Sequence, residues 1–193
     1  ELEGKPRLTL EYSKAKKSIA TTRTFERPYT KLDDIRESIT TFSVSCAEKL
    51  RKQRSCCNVI MVFVHTNGFR KDMPQYSKSL IIRLPYPSNS SIELTKFAYE
   101  GLKSIFKQGF EYKKAGVIAM DIVPEKQQQV SLFENSDPRH KTLMKIIDQL
   151  NDDIGQQKVR LGSQGTGRTW KMRQELLTPK YTTKLSDIIS VNV

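Results

Sequence analysis

The chain has 193 residues, with 33 lysines and arginines against 21 aspartates and glutamates, giving a formal net charge of +12. That length allows one domain with a real core plus a tail, and a 37% hydrophobic fraction excludes wholesale disorder. No apolar run approaches the ~20 residues of a membrane span, the N-terminal stretch lacks the apolar core of a signal peptide, and the surplus of positive charge points to a polyanion, nucleic acid first.

A chain that opens ELEGKP without a Met reads as part of something longer. The first periodic element is Lys16 to Phe25, KKSIATTRTF, rich in β-branched residues and free of Gly and Pro, which predicts a strand broken by Pro28 and Tyr29. Lys17, Ile19, Thr21, Arg23 and Phe25 alternate along it with Ser18, Ala20, Thr22 and Thr24. Neither set is cleanly apolar, as expected of a strand at or near an edge. Thr30 with Asp33 forms an acidic variant of the capping box, and Leu32, Ile35, Ile39, Phe42, Cys46 and Leu50 then fall on one helical face. Arg36, Glu37, Lys49 and Lys52 lie opposite.

Cys57 to Val64 reads as a buried strand, Asn67-Gly68 as a turn, and Ser79 to Leu84 as a third strand ended by Pro85 and Pro87. Ser90 and Glu93 make a capping box for a second amphipathic helix through Leu94, Phe97, Ala98, Leu102, Ile105 and Phe106, closed by Gly109. Ala115 to Val123 is the fourth strand. The succession is β-α-β-β-α-β, an α+β, ferredoxin-like arrangement with two helices on one face of a four-stranded sheet. After Pro124 comes a polar linker carrying Val130, Ser131, Leu132 and Phe133. A third helix follows, with Asp137 as cap, Pro138 at its first position, Leu143, Ile146, Ile147 and Leu150 buried, and Gly155 as its stop. Strand-like KVRL, glycine-rich GSQGTGR, a helix around Trp170 to Leu177 and an apolar patch at Ile188 and Ile189 complete a smaller, mainly helical tail.

No catalytic constellation is visible. Cys46, Cys56 and Cys57 read as reduced thiols, and His65 and His140 are too far apart and too poorly accompanied for a metal site. Asp33-Asp34 and Asp152-Asp153 are paired carboxylates near helix ends, where cap electrostatics account for the first pair. Gly162 to Thr169 has the spacing of a phosphate-binding loop but carries Arg168 where that chemistry wants Lys. Nucleotide hydrolysis would rest on that loop alone.

Binding residues are more evident. Lys16, Lys17 and Arg23 interleave with Ser18, Thr21, Thr22 and Thr24, and the stretch after the turn repeats the mixture with Arg70, Lys71, Ser77, Lys78 and Ser79. Cations, hydroxyls and strand-edge amides hold phosphates without reading bases. An RNA- or DNA-binding module standing alone would instead need stacking aromatics on its central strands, for which Phe63 is the one candidate and better suited to a core.

From ELEGKP through KKSIATTRTF and the βαββαβ succession, the first 123 residues resemble the little-finger domain of Y-family translesion DNA polymerases. SQGTGRTWKMRQELLTPKYTTKLSDII is similar to the C-terminus of the UmuC-like branch, with Arg7 where relatives often carry Cys. The resemblance implies residues 1–12 as a linker from a polymerase core, 13–123 as the little finger, 124–136 as a linker, and 137–193 as the UmuC-type C-terminal region. It makes Gln129, Val130, Ser131, Leu132 and Phe133 a peptide for docking on the bacterial sliding clamp, with Leu132 and Phe133 as apolar anchors. It implies duplex DNA as partner, the processed UmuD dimer and RecA as further ones, and a bacterial cytoplasmic, nucleoid-associated setting for SOS mutagenesis and damage tolerance. Catalytic carboxylates and their Mg2+ would belong to a palm upstream, so no cofactor is expected in this part.

Overall fold

Residues 4, 15–127, 137–155, 158–165, 167, 177–181 and 183–189 are described by the computed structural model. Within them the order is β1 (Ile19–Tyr29), α1 (Leu32–Lys52), β2 (Ser55–Thr66), β3 (Ser77–Ser88), α2 (Ser91–Ile105), β4 (Tyr112–Pro124) and α3 (Pro138–Ile154), with short 3-10 turns at Glu125–Gln127, Gly162–Gln164 and Leu185–Asp187. The four strands form one antiparallel sheet in the order β1-β4-β2-β3, and α1 and α2 pack against each other over one face. This is the α+β succession expected. Each βαβ unit is split by a strand of the other, so β4 lies between β1 and β2, and β2 between β4 and β3. None of the described helices is long and apolar enough to cross a membrane.

The core is the space between sheet and helices. Ile35, Ile39, Phe42, Cys46 and Leu50 of α1 and Leu94, Ala98, Leu102 and Ile105 of α2 meet Ile60, Val62 and Val64 of β2 and Ala115, Val117 and Ala119 of β4. Each large aliphatic or aromatic side chain buried here contributes about 1.5–3 kcal/mol. All three cysteines are buried as thiols. Cys46 Sγ lies 3.3 Å from Thr21 Oγ1 and 3.6 Å from the Ile19 and Val117 carbonyls, tying α1 to β1 and β4, and burial pushes its thiol pKa up.

Several expected boundaries move, each for a physical reason. β1 begins at Ile19, not Lys16, and runs through Pro28 to Tyr29. β3 runs from Ser77 through Pro85 and Pro87 to Ser88. Both are edge strands, and both pairings shift register near those prolines, the two settings in which a strand tolerates proline. Neither capping box forms. Lys31 occupies the N-cap of α1 and makes no side-chain cap bond. At α2 the Ser90 N–H donates to Ser88 Oγ, while the Glu93 carboxylate accepts from the Ser88 and Tyr86 hydroxyls and faces His140 Nδ1. The α2 helix ends at Ile105, four residues before Gly109, because the Tyr76 hydroxyl takes the Ile105 carbonyl at 2.7 Å and Phe106 turns extended. KVRL is no strand: Val159 exchanges bonds of 2.8 and 3.0 Å with the Asn151 side chain.

The third helix starts and stops as expected. The Asp137 side chain accepts from the Arg139 N–H, and Gly155 takes a positive φ at the end. Its burial is not as expected. Met144 is the buried residue, whereas Leu143, Ile146 and Leu150 are exposed, Ile146 by half. Polar contacts dock this helix on the outside of α1 and α2, which rotates the apolar stripe away. The Asp148 carboxylate accepts two bonds of 2.6 Å from the Arg51 guanidinium, which also donates to the Asn89 carbonyl and Ser91 Oγ. Lys52 reaches Asp152 at 3.6 Å, and His140 lies 3.3 Å from Ser90 Oγ.

Removing Asp148 leaves a half-buried guanidinium without its carboxylate. Asp148→Ala is expected to lower stability by about 2 kcal/mol and to speed amide exchange in 138–154 while sparing the β2–β4 ladder. Unchanged exchange in α3 would show that the pair does not hold this helix.

Candidate nucleic-acid interface

Strand pairing sorts the expected phosphate-binding residues onto different faces. Residues directly opposite one another in an antiparallel sheet share a face. Thr24 pairs with Lys114, Lys114 with His65, and His65 with Ser77, one row across all four strands on the face away from the helices. The next row is Thr22, Gly116, Phe63 and Ser79, followed by Ala20, Ile118, Met61 and Ile81. The open face thus grades from a basic, hydroxyl-rich end to an apolar middle.

The remaining candidates lie elsewhere. Thr21 is on the helix side, where its Oγ1 accepts from Lys49 Nζ at 3.3 Å. Arg23 pairs with Ala115 and Lys78 with Val64, which puts both on the helix-side rims of the two edge strands, exposed. Lys16, Lys17 and Ser18 precede the strand and are exposed; the Lys16 backbone is clasped by the Gln53 amide, at 2.9 and 3.1 Å. Lys71 is exposed in the β2–β3 loop. Arg70 is engaged by Asp72 in a forked ion pair with a shortest contact of 2.6 Å, so its charge is largely spent locally. Gln129, Val130, Ser131, Leu132 and Phe133 lie outside the described residues.

Four members of the basic end were missed in the sequence: His65, Phe69, Lys113 and Lys114. Starting β4 at Ala115 left the two lysines outside a strand. Continuing the alternation backward from the buried Ala115 would have put Lys114 on the open face. With Thr24 and Ser77 they border an open groove of about 640 Å³ whose lining holds no carboxylate. Lys113 Nζ donates to the Glu26 carbonyl at 2.7 Å, whereas Lys114 has no ion-pair partner among the described residues. His65 Nδ1 lies 2.6 Å from Ser77 Oγ, and its ring packs 4.9 Å from Phe63. Phe63 is covered, 7% exposed, but on the open face, over a backbone that only glycine permits: a Cβ at Gly116 would come within 2.6 Å of its ring and 2.5 Å of Thr22 Cγ2.

Among its described residues, 162–165 and 167, the glycine-rich segment gives no phosphate site. It lacks the preceding strand, and Gly165 packs so close to Glu37 that a Cβ there would sit 2.7 Å from the carboxylate. An anion is repelled at that position. Arg168 is outside the described residues. The paired carboxylates are solvated ion-pair partners, Asp33 at 4.0 Å from Arg36 and Asp152 at 3.6 Å from Lys52. Among the described residues, no group of three or more His, Cys, Asp or Glu could hold a metal ion.

Burial, and then the Lys114 charge, hold the His65 imidazole below its ordinary pKa of 6.5. Just below that value the unfolded chain therefore binds more protons at this position than the native one, so His65 makes stability rise with pH there and level off above about 6.5. The melting temperature of the wild type relative to His65→Gln should increase from about pH 5 to about pH 7. A difference independent of pH would contradict it.

Comparison with known proteins places this arrangement. A family model described as the impB/mucB/samB family C-terminal domain matches residues 16–132, and a domain of unknown function, DUF4113, matches 141–191. The chain is 34% identical to the protein UmuC of Salmonella typhimurium over 99% of its own length and 46% of that protein, and 35% identical to ImpB of Salmonella typhimurium over 97% and 45%. It spans about half the length of the curated relatives it matches. Among solved structures, the insertion ternary complex of Dbh DNA polymerase is 13% identical at a TM-score of 0.41, covering 55% of this chain and 29% of that one. The complex of the beta-clamp processivity factor and the little finger domain of PolIV is 13% identical at a TM-score of 0.39, covering 61% of this chain and 99% of that one. With the family model matching more than half of its residues, the chain belongs to the impB/mucB/samB family.

Proposed function

We propose that this chain is the DNA-gripping and partner-docking portion of an error-prone translesion DNA polymerase, acting in damage tolerance and SOS mutagenesis. The observation that carries the reading is the row Thr24–Lys114–His65–Ser77, which lines an ammonium, an imidazole and two hydroxyls across the sheet beside a groove without carboxylates, on a chain of net charge +12. Such groups hold the sugar–phosphate backbone and carry no base information. A polymerase that must follow damaged templates needs a grip of this kind. Lys17, Arg23 and Lys78 extend the basic surface around the sheet edges, toward the flanking phosphates of a duplex. In this reading, nucleotide transfer and its Mg2+ belong to a palm domain outside these residues.

The clamp is the second partner in this proposal. Gln129, Val130, Ser131, Leu132 and Phe133 follow the last strand in an otherwise polar linker. Leu132 and Phe133 would enter an apolar groove while Gln129 offers its amide to the rim. Leu185, Ile188 and Ile189 stand exposed in the tail, apolar surface for a protein partner such as the processed UmuD dimer or RecA.

Phosphate contacts release counterions, so binding to duplex should be salt-dependent and nearly indifferent to sequence. The triple change Lys17→Ala, Arg23→Ala and Lys78→Ala should weaken binding about equally on unrelated duplexes, each lost contact lowering the salt slope by roughly one. A strong sequence preference, or an unaltered slope, argues against the grip.

Changing Leu132 and Phe133 to Ala should reduce affinity for a bacterial sliding clamp more than about a hundredfold, since each anchor is worth roughly 1.5–3 kcal/mol when buried, and should leave the melting temperature unaltered. A destabilised protein with unchanged clamp affinity would instead assign the pentapeptide to the core.

A further inference from the structure

The β2–β3 loop carries an aromatic side chain that the duplex grip does not use. Phe69 is 98% exposed. An exposed aromatic on a loose loop means little, but this loop is built. The Asn67 carbonyl closes a turn with the Arg70 N–H at 3.0 Å, Asn67 Oδ1 accepts from the Phe69 N–H at 3.2 Å, and the Arg70 carbonyl accepts from the Met73 N–H at 3.2 Å. The Gln75 amide sits at the centre, donating toward the Asn67, Arg70 and Met73 carbonyls at 3.1, 2.7 and 3.1 Å. The Arg70–Asp72 fork crosslinks the same turn from outside. The backbone is fixed while the one large apolar side chain it presents stays in water.

Phe69 also stands at a defined place. It borders the groove of about 640 Å³ with Thr24, His65, Ser77, Lys113 and Lys114. A π-face, unpaired cationic charge at Lys114 and hydroxyls with no carboxylate suit one ligand chemistry: a nucleobase on the ring and its phosphate beside the ammonium. A paired, stacked base in duplex offers no free face, so the groove favours an unpaired strand. We infer that Phe69 and the Lys114 groove form a stacking site for single-stranded DNA, catching an unpaired nucleotide next to the duplex held by the sheet. The inference rests on the DNA-gripping reading and adds to it a strand that the sheet rows do not account for.

The test compares binding of the 193-residue chain to a short oligo(dT) and to a blunt duplex. Phe69→Ala should weaken oligo(dT) binding roughly tenfold, the scale of one lost aromatic–base stack, while blunt-duplex affinity stays within about twofold. Phe69→Leu should behave like the Ala variant, because it keeps apolar bulk but has no π-face. Phe69→Trp should retain oligo(dT) binding, with its indole emission quenched by the bound base. Phe69 is solvated, so melting temperatures should not change and folding does not confound the comparison. Unaltered oligo(dT) affinity in Phe69→Ala overturns the site. Full affinity in Phe69→Leu also overturns it, because apolar bulk and not a stacking ring would then account for the contact. If blunt duplex fails to bind the wild type, the grip reading falls; oligo(dT) binding that still depends on the Phe69 ring then upholds the stacking site by itself.

Discussion

The sheet closes only when β4, the last strand in the chain, inserts between β1 and β2 and bonds to both along most of its length. Without it, β1 has no neighbour and α1 loses one of the strands that it covers. The insertion depends on small side chains. Ala115 and Ala119 let α1 and α2 approach from one side, while Gly116 leaves room for Thr22 and the Phe63 ring on the other. A larger residue at Gly116 would force both neighbours to move, because close-packed surroundings do not absorb added volume. Pairing β4 with β1 requires contacts nearly a hundred residues apart, and such long loops are slow to close. The hairpin of β2 and β3 and the local helix α2 are the natural parts to form first.

The same strand makes the candidate interface. Lys114 supplies the cation at the middle of the basic row, and its register against Thr24 and His65 sets the spacing of the groups beside it. A slip by one residue would turn Lys114 into the core and Ala115 outward, losing the core and the row together. Rigidity at the interface therefore comes from hydrophobic packing on the far side of the sheet. The Lys114 ammonium has no ion-pair partner among the described residues and is left available for a ligand.

Much of this was legible in the sequence because apolar periodicity is a local signal. The faces of α1 and α2, the four strands in order and the Asp137–Gly155 limits of α3 follow from spacing alone. Other features depended on neighbours in space. Pro28, Pro85 and Pro87 read as stops, yet sit in strands, because edge position is decided by which strand pairs where. Ser90 and Glu93 read as a box, yet Glu93 is drawn to Ser88, Tyr86 and His140. The stripe on α3 reads as buried, yet Arg51, from a helix 97 residues upstream, fixes the orientation through Asp148. For the candidate site, composition announced a basic, hydroxyl-rich surface and alternation split Thr22 and Thr24 from Thr21 and Arg23, but only pairing shows which set faces away from the helices, and only the loop fold exposes Phe69.

The prolines at the two edges reach beyond strand length. On β3 Pro85 and Pro87, and on β1 Pro28, lie where the pairing shifts register near the strand ends, with Arg23, Glu26 and Arg27 charged along β1. An incoming extended chain meets prolines, irregular backbone and solvated charges at those ends in place of a regular row of amides. Edge-to-edge zipping of two copies is hindered at those proline-bearing ends. A partner that avoids those ends meets the flat face, the helices or the segments that follow them.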